Sequence, residues 1–182
     1  MGTALVRAEQ VAKRLLPALF AEMNRTGHAG HCILVSRVMG VVLEQLDVVS
    51  EPFCVDYRFE NTAAVAQLGR GRRLTPPALV AQTGSGALDG YDHHVVTLVR
   101  ENAHALLLDP TIIQLERHMP GISLPPIMIT LPWPREAPLA LDFEVGRLTY
   151  TFRHEQIDFM DNDQWTDLHD ASVRARAILA QM

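Results

Sequence analysis

The sequence predicts an α+β domain in which N-terminal helices pack on an antiparallel β-sheet. The longest runs of helical periodicity lie in residues 7–46 and at the C-terminal end, while the segments between them are rich in short β-type runs. The chain has 182 residues, which corresponds to about one domain, since domains average roughly 150 residues. We therefore expect residues 1–182 to form a single domain.

Two N-terminal helices are predicted. Apolar side chains recur at helical spacing between Arg7 and Met23, although Pro17 is expected to kink or interrupt this first helix. A polar loop with two glycines, residues 24–31, then leads directly into Cys32. From Cys32 onwards the apolar residues follow at steps of three and four, at Val35, Met39, Val42 and Leu46. This spacing places Cys32 in the first turn of the second helix, facing inward.

The next segments indicate a strand and then a long excursion. Residues between Val48 and Phe59 alternate between apolar and polar, which is typical of a strand. Cys54 points away from the apolar face of this strand, and nothing near it indicates activation of its thiol. Residues 62–90 are rich in Gly, Pro, Ser and Thr and are expected to form a surface excursion with a short helix near residues 63–68. Such an excursion often borders a functional site.

The remaining elements complete a sheet of four or more strands and a closing helix. A Pro-rich connector spans residues 119–138, and further strands are predicted near Ile127–Leu131, Leu139–Glu144 and Arg147–Arg153. Trp165 is expected to anchor an acidic loop to the core. Apolar spacing after a Thr-Asp start predicts a last helix over Thr166–Met182.

The most regular feature is a β-hairpin that carries His94 and Asp109. With Glu101 and Asn102 as turn residues, His94 lies directly opposite Asp109, and their Cβ atoms are about 4.5–5.5 Å apart on one face. A carboxylate at that distance holds an imidazole in one tautomer and supports its protonated form. A register shifted by one residue would turn the two side chains to opposite faces, and His93 would then be the candidate base.

Cys32 completes a candidate catalytic triad with His94 and Asp109. Unpaired backbone N–H groups and the helix dipole favour the thiolate form of a cysteine in a first helical turn. The three residues then provide a nucleophile, a base and a carboxylate that orients the base. The backbone N–H of Cys32 is also a candidate donor to an oxyanion. We expect this site to lie in the cleft between the helix and the sheet.

The motifs around these residues resemble those of the transglutaminase-like branch of the papain-like cysteine enzymes. The resemblance rests on Gly30-His31-Cys32 opening a helix, His94-Val95-Val96 opening a strand and Leu108-Asp109-Pro110-Thr111 closing the next strand. It covers roughly residues 20–115, and arylamine N-acetyltransferases share a similar arrangement.

The resemblance implies a papain-like fold and an acyl-enzyme mechanism. Members of that superfamily attack an amide, ester or thioester with the cysteine and pass the acyl group to water or an amine. The implied roles fall on Cys32, His94 and Asp109. Two features of the superfamily have no clear match: Val95 and Val96 follow the histidine where an aromatic residue is common, although Tyr91 lies just before it, and no oxyanion side chain can be placed.

Two other functions are compatible with the sequence. The first is a non-catalytic binding or interaction domain with the same fold. The second is a zinc site built from His28, His31, Cys32 and the pair His93-His94. The spacing is unfavourable for zinc, because neighbouring residues in a strand point to opposite sides and a His-x-x-His pair in a loop does not share one helical face.

Composition limits the partners and the compartment. Sixteen Lys+Arg against 21 Asp+Glu give a net charge of −5, and aromatic residues make up only 6%, which argues against a nucleic-acid partner. No apolar run approaches the roughly 20 residues of a membrane-spanning helix, and the first residues lack a signal-peptide pattern, so we expect a cytoplasmic location without a membrane partner. The expected partner is a peptide, protein or small-molecule acyl substrate. No cofactor or metal is expected, and the oligomeric state is left open.

Overall fold

Helices and one antiparallel sheet make up the computed structural model of the chain, which describes residues 2–27, 31–68, 70, 79–83, 93–112, 115, 119, 121–155 and 158–182. The helices are α1 (Thr3–Arg25), α2 (Cys32–Gln45), α3 (Thr62–Leu68), α4 (Asp163–Thr166) and α5 (Leu168–Leu179), with a 3-10 turn at Asp158–Asp161. The strands are β1 (Glu51–Glu60), β2 (Val80–Gln82), β3 (His94–Glu101), β4 (His104–Asp109), β5 (Ile127–Pro132), β6 (Leu139–Phe143) and β7 (Gly146–Phe152). The predicted α+β class with N-terminal helices is confirmed.

The sheet is built around β1. The strand order is β5-β4-β3-β1-β7-β6, with β2 also paired to β1, and every pairing is antiparallel. One edge of β1 pairs with β3 and then with β2, while its other edge pairs with β7. The central strand therefore brings the β3–β4 hairpin next to the C-terminal β6–β7 hairpin.

Three helices cover one face of the sheet. The apolar stripes of α1, α2 and α5 pack together against β3 and β4, in a cluster that includes the fully buried Leu15, Leu19 and Met39. Burying one such side chain stabilises the fold by about 1.5–3 kcal/mol. Helix α1 runs unbroken from Thr3 to Arg25 and contains Pro17, so the expected interruption is not found.

The other face of the sheet carries a second apolar cluster. Alternate residues of β3 divide between the faces: Val99 belongs to the helix-side cluster, whereas Val96 and Leu98 belong to the opposite one. Large aromatic residues fill this second cluster, among them Tyr57 and Tyr150. His94 lies two residues before Val96 and therefore shares its face.

The β3–β4 hairpin has a register that differs by two residues from the predicted one. Glu101 pairs with His104, so the turn residues are Asn102 and Ala103 rather than Glu101 and Asn102. Asn102 adopts a positive φ of 54°, a conformation that asparagine tolerates better than most residues. Because the shift is an even number, the two side chains of interest stay on one face. Asp109 is then diagonal to His94 instead of directly opposite.

The long excursion contains more regular structure than the sequence indicated. Helix α3 lies at its start, and the short strand β2 pairs with β1 through residues 80–82. Residues 71–78 and 84–90 of this segment lie outside the described residues. Among the helices that are described, none combines the length and the apolar character needed to cross a membrane.

Candidate active site

Cys32 is the first residue of α2 and is 9% exposed. It packs in a small apolar cluster with Ile33, Cys54, Val95 and Phe159. The apolar stripe of α2 faces the sheet, which turns its first residue towards the start of β3. The thiol therefore faces inward, as the helical spacing predicts.

His94 and Asp109 are joined by a hydrogen bond between His94 Nε2 and Asp109 Oδ2, 2.8 Å apart. His94 opens β3 and Asp109 closes β4, so adjacent strand ends hold both residues. Both side chains are completely buried. A buried imidazole and a buried carboxylate each carry a large desolvation penalty, which this pairing offsets.

Four donors surround the Asp109 carboxylate. Oδ2 accepts from His94 and from the Tyr150 hydroxyl at 2.6 Å, and Oδ1 accepts from the backbone N–H and the hydroxyl of Thr111 at 2.9 and 3.0 Å. Burial alone would raise the pKa of Asp109, but His94 and these donors outweigh it and lower the pKa below its ordinary value. Asp109 is therefore held as a carboxylate with a fixed orientation.

His94 contacts Cys32 as well as Asp109. Burial lowers the pKa of His94, but the Asp109 carboxylate and a hydrogen bond and charge interaction with Cys32 raise it overall to about 10. Nε2 is the ring nitrogen that binds Asp109, and the Cys32 side chain lies within hydrogen-bonding reach of the same imidazole. The ring of Tyr57 packs edge-on against the imidazole, with centroids 5.5 Å apart. The three residues predicted from the sequence thus lie in one contiguous group.

Tyr150 and Thr111 were not among the predicted site residues. Tyr150 lies in β7, which β1 and β3 separate from β4 in the strand order, and its position in the chain resembles that of any buried aromatic residue in an alternating strand. No short-range pattern in the sequence indicates its contact with Asp109. Thr111 follows Asp109 by two residues, and an aspartate that accepts from the backbone two positions later is a common turn.

A second histidine–carboxylate pair lies beside the first. His93 Nδ1 is 2.7 Å from Asp56 Oδ1, and Arg153 Nε donates to Asp56 Oδ2 at 2.5 Å. The Thr83 hydroxyl lies 3.4 Å from the same carboxylate. Asp56 therefore links residues that flank three different strands. They are His93 before β3, Arg153 after β7 and Thr83 after β2. His93, the alternative base in a shifted register, is engaged by this cluster.

The residues of the zinc alternative do not converge in the described part of the chain. His31 precedes Cys32, and its Nδ1 lies 3.2 Å from Gln164 Nε2 of α4. His28 is outside the described residues. Within the described ranges there is no group of three or more His, Cys, Asp or Glu side chains that could hold a metal ion.

No family model matches the chain, and neither a curated protein nor a solved structure shows significant similarity to it.

Proposed function

We propose that this protein is a thiol enzyme of the transglutaminase-like, papain-like type, which transfers or hydrolyses an acyl group from an amide, ester or thioester. Cys32 is the nucleophile, His94 the proton carrier and Asp109 the carboxylate that orients it. One observation supports this function best. A fully buried imidazole has the Asp109 carboxylate on one nitrogen and contacts a cysteine at a helix N-terminus.

The protonation states favour an activated sulfur. A neighbouring positive charge and a hydrogen-bond donor both stabilise the thiolate form of a cysteine. The pKa of His94 is raised to about 10, so the imidazole carries its proton at neutral pH and offers a positive charge to the sulfur beside it. In this form His94 donates from Nε2 to Asp109 and from Nδ1 to the sulfur.

The proposed reaction has two halves that are linked by an acyl-enzyme. The Cys32 thiolate attacks the carbonyl carbon, a C–S bond forms, and the resulting oxyanion accepts from the backbone N–H of Cys32. The bond to the leaving group then breaks, and His94 gives its proton to that group. In the second half, neutral His94 takes a proton from water or an amine as this acceptor attacks the thioester, and the thiolate is released.

Alkylation with iodoacetamide tests the activation of Cys32. We expect rapid labelling of Cys32 below pH 7, because only a thiolate reacts. Cys54 is only 1% exposed and should stay unlabelled, so the wild-type chain contains an internal control. His94→Gln should move the labelling of Cys32 to the higher pH that is typical of an ordinary thiol. Labelling of wild-type Cys32 that begins only above pH 8 would contradict the proposal.

Covalent turnover is tested with small activated esters and thioesters. The variant Cys54→Ser retains the proposed nucleophile and should release one equivalent of leaving group in a burst, with a matching increase in mass on Cys32. Cys32→Ser is the matched negative variant. Mass spectrometry that finds the acyl group on another residue would exclude this mechanism.

A non-catalytic binding domain is the second candidate, and the low exposure of Cys32 favours it. Cys32 is only 9% exposed, so only a slender part of a substrate or reagent could reach its sulfur. This function predicts slow labelling at every pH and no burst. The same two measurements therefore distinguish the candidates.

A further inference from the structure

A cavity of about 500 Å³ is lined in part by Trp165, which also packs against the cluster that contains Cys32. It is bounded by α2, by the segment that leads into β1, and by β3. Pockets that bind small molecules usually measure about 300–1,000 Å³ and combine apolar walls with a few fixed polar groups. Apolar side chains line much of this cavity: Val41, Val48, Val49 and Pro52.

Arg37 forms the polar end of the cavity that is nearer to Cys32. Its guanidinium lies over the indole of Trp165, 4.9 Å from the ring centroid, and its Nε is buried with no hydrogen-bond partner among the described residues. A guanidinium that stacks on an aromatic ring still offers its N–H edge to a ligand. The paired donors of that edge match the two oxygens of a carboxylate.

Thr97 supplies a second unused polar group. Thr97 is a lining residue of the same cavity and is 1% exposed, and its hydroxyl has no hydrogen-bond partner within the described ranges. Buried hydroxyl groups in folded proteins are nearly always hydrogen-bonded, since burial without a partner is destabilising. The neighbouring Ser36 hydroxyl, by contrast, donates to the Val95 carbonyl at 3.0 Å. A ligand in the cavity would provide the partner that Thr97 lacks.

The opposite end of the cavity is acidic. Glu44 and Asp47 line it there, and Asp47 also forms a solvent-exposed ion pair with Arg7 at 3.4 Å. Glu44 follows Arg37 by seven positions on α2, a rise of about 10 Å at 1.5 Å per residue. The cavity is therefore polarised along the helix, with a cation at one end and carboxylates at the other.

We propose that this cavity is a binding site for an elongated ligand that carries a carboxylate at one end and an amine about 10 Å away. The carboxylate binds Arg37 and the Thr97 hydroxyl, and the amine lies near Glu44 and Asp47. The two opposite charges of the ligand match the two ends of the cavity, and its apolar middle matches the wall between them. This inference does not depend on the proposed acyl transfer, because Cys32 is not part of the cavity lining.

The test measures binding of 8-aminooctanoate to the full chain by calorimetry, with octanoate and octylamine as matched ligands. We expect 8-aminooctanoate to bind most tightly, and octylamine to bind at least about tenfold more weakly, because it lacks the charge-assisted contact to Arg37. Octanoate should bind about threefold more weakly, since the acidic end is exposed to solvent. Equal affinity of all three ligands would overturn the proposal.

Two variants locate the ligand. Arg37→Gln should weaken 8-aminooctanoate binding at least about tenfold, whereas Arg147→Gln, which removes a cation on the far strand β7, should not change it. Thr97→Val should raise the midpoint of thermal unfolding and also weaken binding, because it removes a buried hydroxyl that has no partner among the described residues and that the ligand would satisfy.

A Thr97→Val protein that is stabilised but binds normally would show that the hydroxyl has no ligand role and would overturn the assignment. Cys32→Ser should bind as well as wild type. Loss of binding in that variant would place the ligand at the thiol instead and would also overturn the assignment. Failure of the iodoacetamide experiment, in contrast, concerns Cys32 alone and leaves this result unaffected.

Discussion

The Asp109 carboxylate shows how a single buried residue is fixed by distant parts of the chain. Its four donors come from His94, Thr111 and Tyr150, and the last of these is 41 residues away in the sequence. The arrangement keeps the carboxylate charged inside the protein, which is stable only when most of its oxygen lone pairs are satisfied.

Tyr150→Phe should destabilise the protein by about 1–2 kcal/mol, because Asp109 loses one donor without gaining water. Urea unfolding at pH 7 measures this change. The matched variant is Tyr57→Phe, since the Tyr57 hydroxyl is not one of the groups that donate to Asp109. Equal destabilisation by both variants would mean that the hydrogen bond from Tyr150 to Asp109 does not contribute to stability.

For individual residues, the sequence was informative where a residue type with few chemical roles occupies a position that helical or strand spacing can place. Cys32, His94 and Asp109 could be paired because helical and strand periodicities are local and each residue type has a limited set of roles. Tyr150 and the cluster of Asp56, Arg153 and His93 could not be found, because contacts between strands that are distant in sequence leave no local pattern.

The β3–β4 hairpin shows that the sequence predicts the strands of an element better than their register. The two strands were predicted, but the turn was centred one residue too early, so the register differed by two. Local propensity does not specify the turn centre, because Asn102 can occupy either the second turn position after Glu101 or the first before Ala103. The left-handed conformation of Asn102 and a long-range contact of Glu101 fix it in the folded chain.

Asn102→Val should cost about 1–2 kcal/mol, since a β-branched residue is strained at a φ of 54°. Asn102→Gly is the matched variant and should retain wild-type stability, because glycine adopts positive φ freely. Thermal unfolding of both variants measures the difference. An equal loss of stability in the two variants would show that the Asn102 side chain, rather than the backbone conformation at this position, stabilises the turn.

Helix α1 is capped by a residue of this hairpin. Gly2, at the N-cap, provides no side-chain acceptor, and the Glu101 carboxylate instead accepts from the backbone N–H groups of Ala4 and Leu5 at 3.2 and 3.0 Å. A carboxylate near a helix N-terminus also interacts favourably with the helix dipole. The hairpin tip therefore serves as a tertiary cap.

Glu101→Ala should destabilise the protein by about 1 kcal/mol and increase amide hydrogen exchange at Ala4 and Leu5. Glu136→Ala removes an exposed carboxylate from the loop after β5 and should change neither quantity. Unchanged exchange at the start of α1 in Glu101→Ala would rule out the cap.

For the whole molecule, the coupled titration of His94 and Asp109 sets the dependence of stability on pH. The pKa of His94 rises from its ordinary 6.5 to about 10, so its stabilising contribution is complete below pH 6.5 and is lost as the pH rises through 10. The pKa of Asp109 is lowered, so its contribution is complete above its ordinary value of 3.8 and is lost as the pH falls through the lowered value.

Urea unfolding between pH 6.5 and 10.5 should therefore show a falling free energy of unfolding in wild type and a smaller fall in His94→Gln. The difference between the two proteins isolates the contribution of His94 from those of the other titratable groups. Parallel curves for the two proteins would show that His94 does not retain its proton in the folded state.

The class of the whole fold could be predicted, whereas the order of its strands could not. Helical and alternating patterns identified both layers, because each element buries one face. The position of β1 between β3 and β7 follows from packing of the complete sheet, and no single segment encodes it.

The central position of β1 has a consequence for synthesis of the protein on the ribosome. A nascent chain that ends before residue 146 contains the helix of Cys32, together with His94 and Asp109, but β1 has no neighbour on one edge and Asp109 lacks its tyrosine donor. Pairings over such long sequence separations form late. Asp109 therefore gains its last donor only after residue 150 has been synthesised and β7 has paired with β1.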